Sequence, residues 1–314
     1  MFINISLIII SCILISFFFL RQKGRKVEQL HPSMSNALKG ICAICILMGH
    51  IDSPMSVFFH QISGPIVGLF FAMSGYGLTR QYQIKGISYI DTIPRKILKL
   101  IIPYIFCCFL YLLFEYIFIG QISFDELTKQ LMRGHFSYCL PFSWFVTAIV
   151  YFYINYYVAF KIRYKELILW GGFVIWFLYT NYILPGDNGF MWGTSASFAL
   201  SVTYTLHQKH FNKYIAILIF MIIVLSPLAS VQSTLATLLV LLCFGGIQSK
   251  NQILAILGKI SYEVYILQGV ILVLLKNNYY VIPDRYCWVI WLLLTIFASY
   301  LYHKFIANFV YKYL

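Results

Sequence analysis

The sequence predicts an all-α fold, a polytopic bundle of about eleven membrane-spanning helices. Three observations point to it. Hydrophobic residues make up 61 % of the 314-residue chain and charged residues 11 %, whereas a soluble domain has about half and about a quarter. Apolar runs close to spanning length recur from one end of the chain to the other. Basic residues gather in alternate connections between those runs. The composition excludes a soluble enzyme, a disordered chain and a secreted disulfide scaffold.

The first element is residues 2–20, FINISLIIISCILISFFFL, which have no basic residue before them and RQKGRK after. A cleaved leader carries its charge in front. This run therefore reads as a retained anchor with its N-terminus outside. Residues 1–30 are expected to form that anchor and a basic inner loop, ahead of a membrane domain over 31–314. Further runs lie at 37–51, 61–79, 100–119, 143–160, 167–184, 189–206, 214–228, 231–248, 253–275 and 287–309. Pro54, Pro141, Pro185, Pro227 and Pro283 stand near their expected ends, as helix stops do.

With that many crossings, 21–36, 80–99, 161–166, 207–213, 249–252 and the C-terminus lie inside. Lys129, Arg133, Lys276 and Arg285 are then the cations outside, and 19 of the 23 Lys and Arg lie in or beside inner segments. The net charge of +13 thus expresses the positive-inside rule, and no nucleic acid is needed to explain it. The longest outer segment is 120–142, where FDELTKQLM has helical spacing suited to the membrane surface. Cys42-x-x-Cys45 lies within ALKGICAICILM. It reads as small apolar residues of a buried helix. No second Cys-x-x-Cys or His pair supports a metal site.

An ionisable side chain inside a span costs about 2.5–3.5 kcal/mol at the centre, so each is a candidate. His50 ends a very apolar stretch. Lys39 precedes it by eleven residues, about three helical turns, so both side chains face one way within about 20° and about 16 Å apart along the axis. Two readings fit: boundary markers at the two surfaces, or a cation and an imidazole on one functional face.

The next stretches of the chain favour the second. Phe70-Phe71-Ala72-Met73-Ser74-Gly75-Tyr76-Gly77-Leu78 ends the next run. A basic cluster, Arg95, Lys96 and Lys99, precedes Pro103. Ser143-Trp144-Phe145-Val146 opens a later run, and Ser261-Tyr262-Glu263-Val264-Tyr265-Ile266-Leu267-Gln268 lies near the end. In this order the phrases resemble the acyltransferase-3 family of membrane O-acyltransferases, across about residues 35 to 310. That family carries Arg-x10-His in its first core helix, where this chain has Lys39 and His50. It carries His where this chain has Gln268. The resemblance implies a ten-helix core, preceded here by one N-terminal helix.

The resemblance also implies transfer of an acyl group, often acetyl, from cytosolic acyl-CoA to a hydroxyl of a glycan or glycolipid. No permanently bound cofactor is expected; acyl-CoA is the donor substrate. His50 is then the base or a transient acyl carrier, with Lys39 its catalytic partner. Lys39, Arg95, Lys96 and Lys99 are candidates to meet the donor phosphates, or mark the inner face. Ser74 either lines the acyl channel or serves helix packing. Asp52 is expected at the acceptor rim. Trp144 stacks on a sugar or anchors at the interface. Glu263 binds substrate or pairs with Lys259 at i, i+4, and Gln268 lies on the substrate side. Glu115, His60 and His135 read as outer-side residues; His31, His207, His210 and His303 as inner-face residues. The expected partners are acyl-CoA, the glycan or glycolipid and the bilayer of the cytoplasmic membrane. A secondary transporter or glycolipid flippase is the alternative, as is a non-catalytic partner of glycan assembly. Transporters often show repeated halves, and no repeat is evident here.

Overall fold

The computed structural model describes residues 5–21, 28–50, 56–119, 140, 144–184, 189–226, 228–276 and 284–314. Among the described residues every regular element is helical and no strand occurs. Each expected apolar run falls on helix. In chain order these are α1 (Ile5–Arg21), α2 (Pro32–Gly49), α3 (Ser56–Lys85), α4 (Ile93–Ile119), α5 (Trp144–Lys161), α6 (Lys165–Leu178), α7 (Gly189–Leu206), α8 (Lys213–Leu225), α9 (Ala229–Phe244), α10 (Gln252–Lys259), α11 (Ser261–Lys276), α12 (Asp284–Tyr302) and α13 (Asn308–Tyr313).

The expected helix over 253–275 is interrupted at Ile260, between α10 and α11. The last run contains a π-helical turn at His303–Ala307. Among the described residues, 5 helices are long and apolar enough to cross a membrane, and 6 if the pair Gln252–Lys259 and Ser261–Ile271 is one span. Ile8–Leu20, Tyr214–Leu225 and Ala229–Phe244 are shorter apolar helices. The outer segment 120–142 lies outside the described residues apart from Leu140, and so do Asp52, Pro54, Pro141, Pro185, Pro227, Pro283 and His135.

The chain divides into two compact units. The first comprises Met1–Ile90 and Val158–Gly258. In it α3 packs along α7 and α2, α9 packs against α7 and α3, and α1 lies on α8 and α9. Its core runs from Phe18 and Met34 through Ile46 and Leu69 to Leu239 and Leu242. Lipid gives helices no hydrophobic reason to meet, so small residues let backbones approach instead. A Cβ on Gly64 would stand 2.8 Å from Ser233 Oγ. One on Gly68 would stand 2.9 Å from Ser197 Oγ, and one on Gly75 2.7 Å from the Phe198 carbonyl. The tightest crossing joins α2 to α10. A Cβ on Gly40 would lie 2.6 Å from the Leu254 carbonyl oxygen, and one on Gly258 would collide with the carbonyl of Asn36.

The segment Glu28–His31, between α1 and α2, is fastened as an extended strap. The Leu30 N–H donates to Tyr76 OH at 2.9 Å. The Gly246 N–H donates to Gln29 O at 2.7 Å, and Gln208 Nε2 to Glu28 O at 3.2 Å. Arg80 donates to the Gln29 side chain. Gly246 has φ +72° and its missing Cβ makes room for the Glu28 side chain.

The second unit comprises Asp91–Tyr157 and Lys259–Leu314. Here α11 packs on α4 and α12, and α13 returns to α4. Cys107, Tyr111, Val146, Ile266, Val270 and Tyr302 form its core. Pro103 lies inside α4 and has no N–H for the helix ladder. Phenols serve the carbonyls beside it. Tyr262 OH donates to Leu100 O and Tyr302 OH to Pro103 O, each at 2.6 Å. In lipid, backbone groups need such internal partners.

Gly258→Ala is expected to destabilise the protein by about 1–3 kcal/mol through overpacking at the α2–α10 crossing. Thermal unfolding in detergent checks it, with Gly77→Ala as the neutral control, because nothing lies within 4 Å of a Cβ there.

Candidate active site

In the first unit the site is built on α2. The helix starts at Pro32, and His31 caps it, its Nδ1 accepting the Ser33 N–H at 3.2 Å. It ends at His50, whose own N–H still returns to the Ile46 and Leu47 carbonyls at 3.2 and 3.1 Å. The backbone at His50 has φ −91° and ψ 0°, so Lys39 and His50 share one uninterrupted helix. The eleven-residue spacing therefore places both on one side, about 16 Å apart along the axis.

Both side chains are half-buried. Lys39 lies next to Gly40, at the backbone crossing with α10. Among the described residues its ammonium has neither a hydrogen-bond acceptor nor a carboxylate partner. A half-buried cation without a counter-ion is suited to an anion. Ser74, in α3, is half-buried, and the close approach to α7 falls to its neighbour Gly75. Cys42 and Cys45 are free thiols.

The other candidates belong to the second unit. Arg95 is exposed and Lys96 half-buried in the first turn of α4. Lys99 Nζ donates to the Tyr311 carbonyl at 3.2 Å and lies 5.9 Å from the centre of that ring. Trp144, half-buried, opens α5 with its ring edge-on to Phe145, and Phe145 packs 5.0 Å from Tyr265. Gln268 is 0 % exposed, and its backbone carbonyl accepts the Trp291 indole N–H at 3.2 Å.

Glu263 is also 0 % exposed. The local pairing with Lys259 is not the contact formed. Glu263 Oε1 meets His303 Nδ1 at 2.8 Å and accepts from Tyr311 OH at 3.2 Å. Sequence reasoning leaves His303 as an inner-face residue and does not single out Tyr311. The available signal is the acid itself, since a carboxylate inside an apolar run needs a donor from somewhere. Lys99 and Glu263 are thus brought together by Tyr311, one at its carbonyl and the other at its hydroxyl.

The family described as an acyltransferase domain matches residues 35–304. The chain belongs to the acyltransferase-3 family. No curated protein and no solved structure matches it. The match begins just before Lys39 and ends just after His303, so it takes in Lys39, His50, Lys99, Glu263 and His303 but not Tyr311. Together with the apolar helices it makes the chain an integral membrane acyltransferase.

Tyr302→Phe removes the donor to the Pro103 carbonyl beside this cluster. The expected cost is about 0.5–1.5 kcal/mol, read as a lowered unfolding temperature in detergent.

Proposed function

We propose that this acyltransferase moves an acyl group, acetyl in the simplest case, from cytosolic acyl-CoA to a hydroxyl of a cell-surface polysaccharide or glycolipid. The observation that carries the reading is Lys39 and His50 on one continuous helix. The cation there has no partner among the described residues, and the imidazole is half-buried three turns away. His50 takes the proton of the acceptor hydroxyl as the oxygen attacks the thioester carbon, or carries the acyl group as an acyl-imidazole between donor and acceptor. Lys39 meets the negative charge of the donor. Arg95, Lys96 and Lys99 add positive charge for the CoA phosphates, and Ser74 borders the acyl path. Asp52, Trp144, Glu263 and Gln268 serve the substrate side. No permanently bound cofactor is required.

The proposed setting is the cytoplasmic membrane. The chain crosses it about eleven times, as one anchor helix and a ten-helix core. The N-terminus is outside and the C-terminus inside, which leaves most cations on the cytosolic side. The anionic donor then binds where positive charge already stands.

His50→Ala is expected to abolish label transfer from labelled acetyl-CoA to membrane glycans while membrane insertion is retained. Full activity in that variant would remove His50 from the reaction. Lys39→Ala is expected to raise the KM for acetyl-CoA about tenfold or more, with Lys39→Arg close to wild type; an unchanged KM would remove Lys39 from the donor site. Movement of glycolipid without acylation would favour a flippase.

A further inference from the structure

The last run of the second unit presents an outward face whose chemistry changes along its length. α12, the π-helical turn at His303–Ala307 and α13 carry one continuous candidate span, Val289–Tyr313. Trp291, Thr295, Ser299, Tyr302 and Ala307 are buried along one side of it. Leu293, Leu294, Phe297, Tyr300 and Leu301 are exposed along the other. The exposed stripe continues at helical spacing with Lys304, Phe305, Asn308, Phe309, Lys312 and Tyr313. Between Val289 and Lys304 the sequence holds no Asp, Glu, Lys or Arg. One face is therefore apolar over its first half and basic and aromatic over its second.

The two cations of the stripe are open to a ligand. Lys304 Nζ lies 5.6 Å from the centre of the Phe305 ring, and Lys312 Nζ 5.6 Å from that of Tyr313. A ring attracts an ammonium without taking up its hydrogen-bond donors. Among the described residues neither lysine has a carboxylate partner or a hydrogen-bond acceptor. Glu263, the acid that this run does meet, is taken by His303 and Tyr311. Lys99 holds the Tyr311 carbonyl at 3.2 Å and so fastens the last turn to α4. Phe305, Phe309 and Tyr313 are 66 %, 62 % and 68 % exposed, and the rings of Phe309 and Tyr313 lie 4.7 Å apart. Lys304 and Lys312 stand eight residues apart, about 12 Å along the axis. A mere boundary marker needs one cation past the last apolar turn, whereas Lys304 stands inside the span with three exposed aromatic rings at or beyond it. A soluble anion would use the basic half alone. An amphiphile with an anionic head uses the whole stripe.

We infer that this face binds an anionic phospholipid, its phosphate held by Lys304 and Lys312 and its acyl chains laid along the stripe from Leu293 to Leu301. The ammonium groups give charge-assisted hydrogen bonds to the phosphate oxygens. The lysine stems lie on apolar surface while their heads reach the headgroup layer. The aromatic rings occupy the boundary between chain and head, where amphipathic rings sit. The proposed orientation of the chain puts the site in the cytosolic leaflet, where anionic lipid attracts basic segments; the binding itself does not depend on that orientation. Nor does it use Arg95, Lys96 or Lys99, the cations proposed for the acyl donor.

The test titrates the full-length protein in detergent with dioleoyl phosphatidylglycerol and, separately, dioleoyl phosphatidylcholine, and reads bound lipid by native mass spectrometry. The anionic lipid is expected to bind about tenfold or more tighter than the zwitterionic one. K304Q with K312Q is expected to weaken phosphatidylglycerol by about fivefold per lysine and to leave phosphatidylcholine unchanged. K209Q with K250Q removes two exposed lysines of the first unit and is expected to change neither. Equal binding of the two lipids by the wild type would overturn the inference, and so would a K304Q and K312Q variant that keeps its preference. An equal loss in the K209Q and K250Q control would reduce the effect to net charge and overturn the site. Displacement of the lipid by millimolar inorganic phosphate would replace the lipid with a free anion as occupant. If the double variant fails to fold, salt decides on the wild type: raising the ionic strength must loosen phosphatidylglycerol and spare phosphatidylcholine, and an unchanged preference would overturn the role of the lysines.

Discussion

Helices in a bilayer gain nothing from hiding apolar faces against each other, because lipid tails already solvate them. The first unit therefore depends on how closely its backbones approach. Gly40 and Gly258 let α2 and α10 meet carbonyl to backbone, and Gly64, Gly68 and Gly75 set α3 against hydroxyls and carbonyls of α7 and α9. Lys39 gains its position from this. It follows Leu38, which is buried, and precedes Gly40, which has no room for a side chain. The candidate cation is fixed by a crossing made of atoms that are absent.

The second unit meets the same solvent with a different device. Its longest helix contains a proline, and neighbouring tyrosines reach the carbonyls around it. The same aromatic side brings Tyr311 to both Lys99 and Glu263. A structural need and a chemical one are met by side chains of one type. A phenol carries apolar bulk that lipid accepts and one polar atom that backbone or carboxylate can use.

Much of this is legible in the chain itself. Apolar runs alone locate the helices, because a period of composition is a local property. The Lys39–His50 relation is legible too, since a fixed spacing on one helix is a fixed geometry. The partner of Glu263 is not. Lys259 is four residues away and His303 forty, and only the fold decides which one arrives. The interruption at Ile260 falls in Gly258-Lys259-Ile260-Ser261, a short polar break that an apolar average over 253–275 reads through. The division into two units, each assembled from two separate stretches of chain, is likewise a property of contacts and not of pattern. Glycine has the opposite fate. Ser74 draws attention for its hydroxyl, while its silent neighbour Gly75 makes the close approach.

The strap at Glu28–His31 bears on what counts as the smallest folding unit. The family match spans 35–304, yet Leu30 and Gln29, ahead of it, are tied to Tyr76, Arg80 and Gly246. Tyr311, which shares the Glu263 oxygen, lies beyond its other end. A chain trimmed to the matched residues would lose a clasp at one end and a buried donor at the other. The matched stretch is thus narrower than the set of residues these contacts tie together.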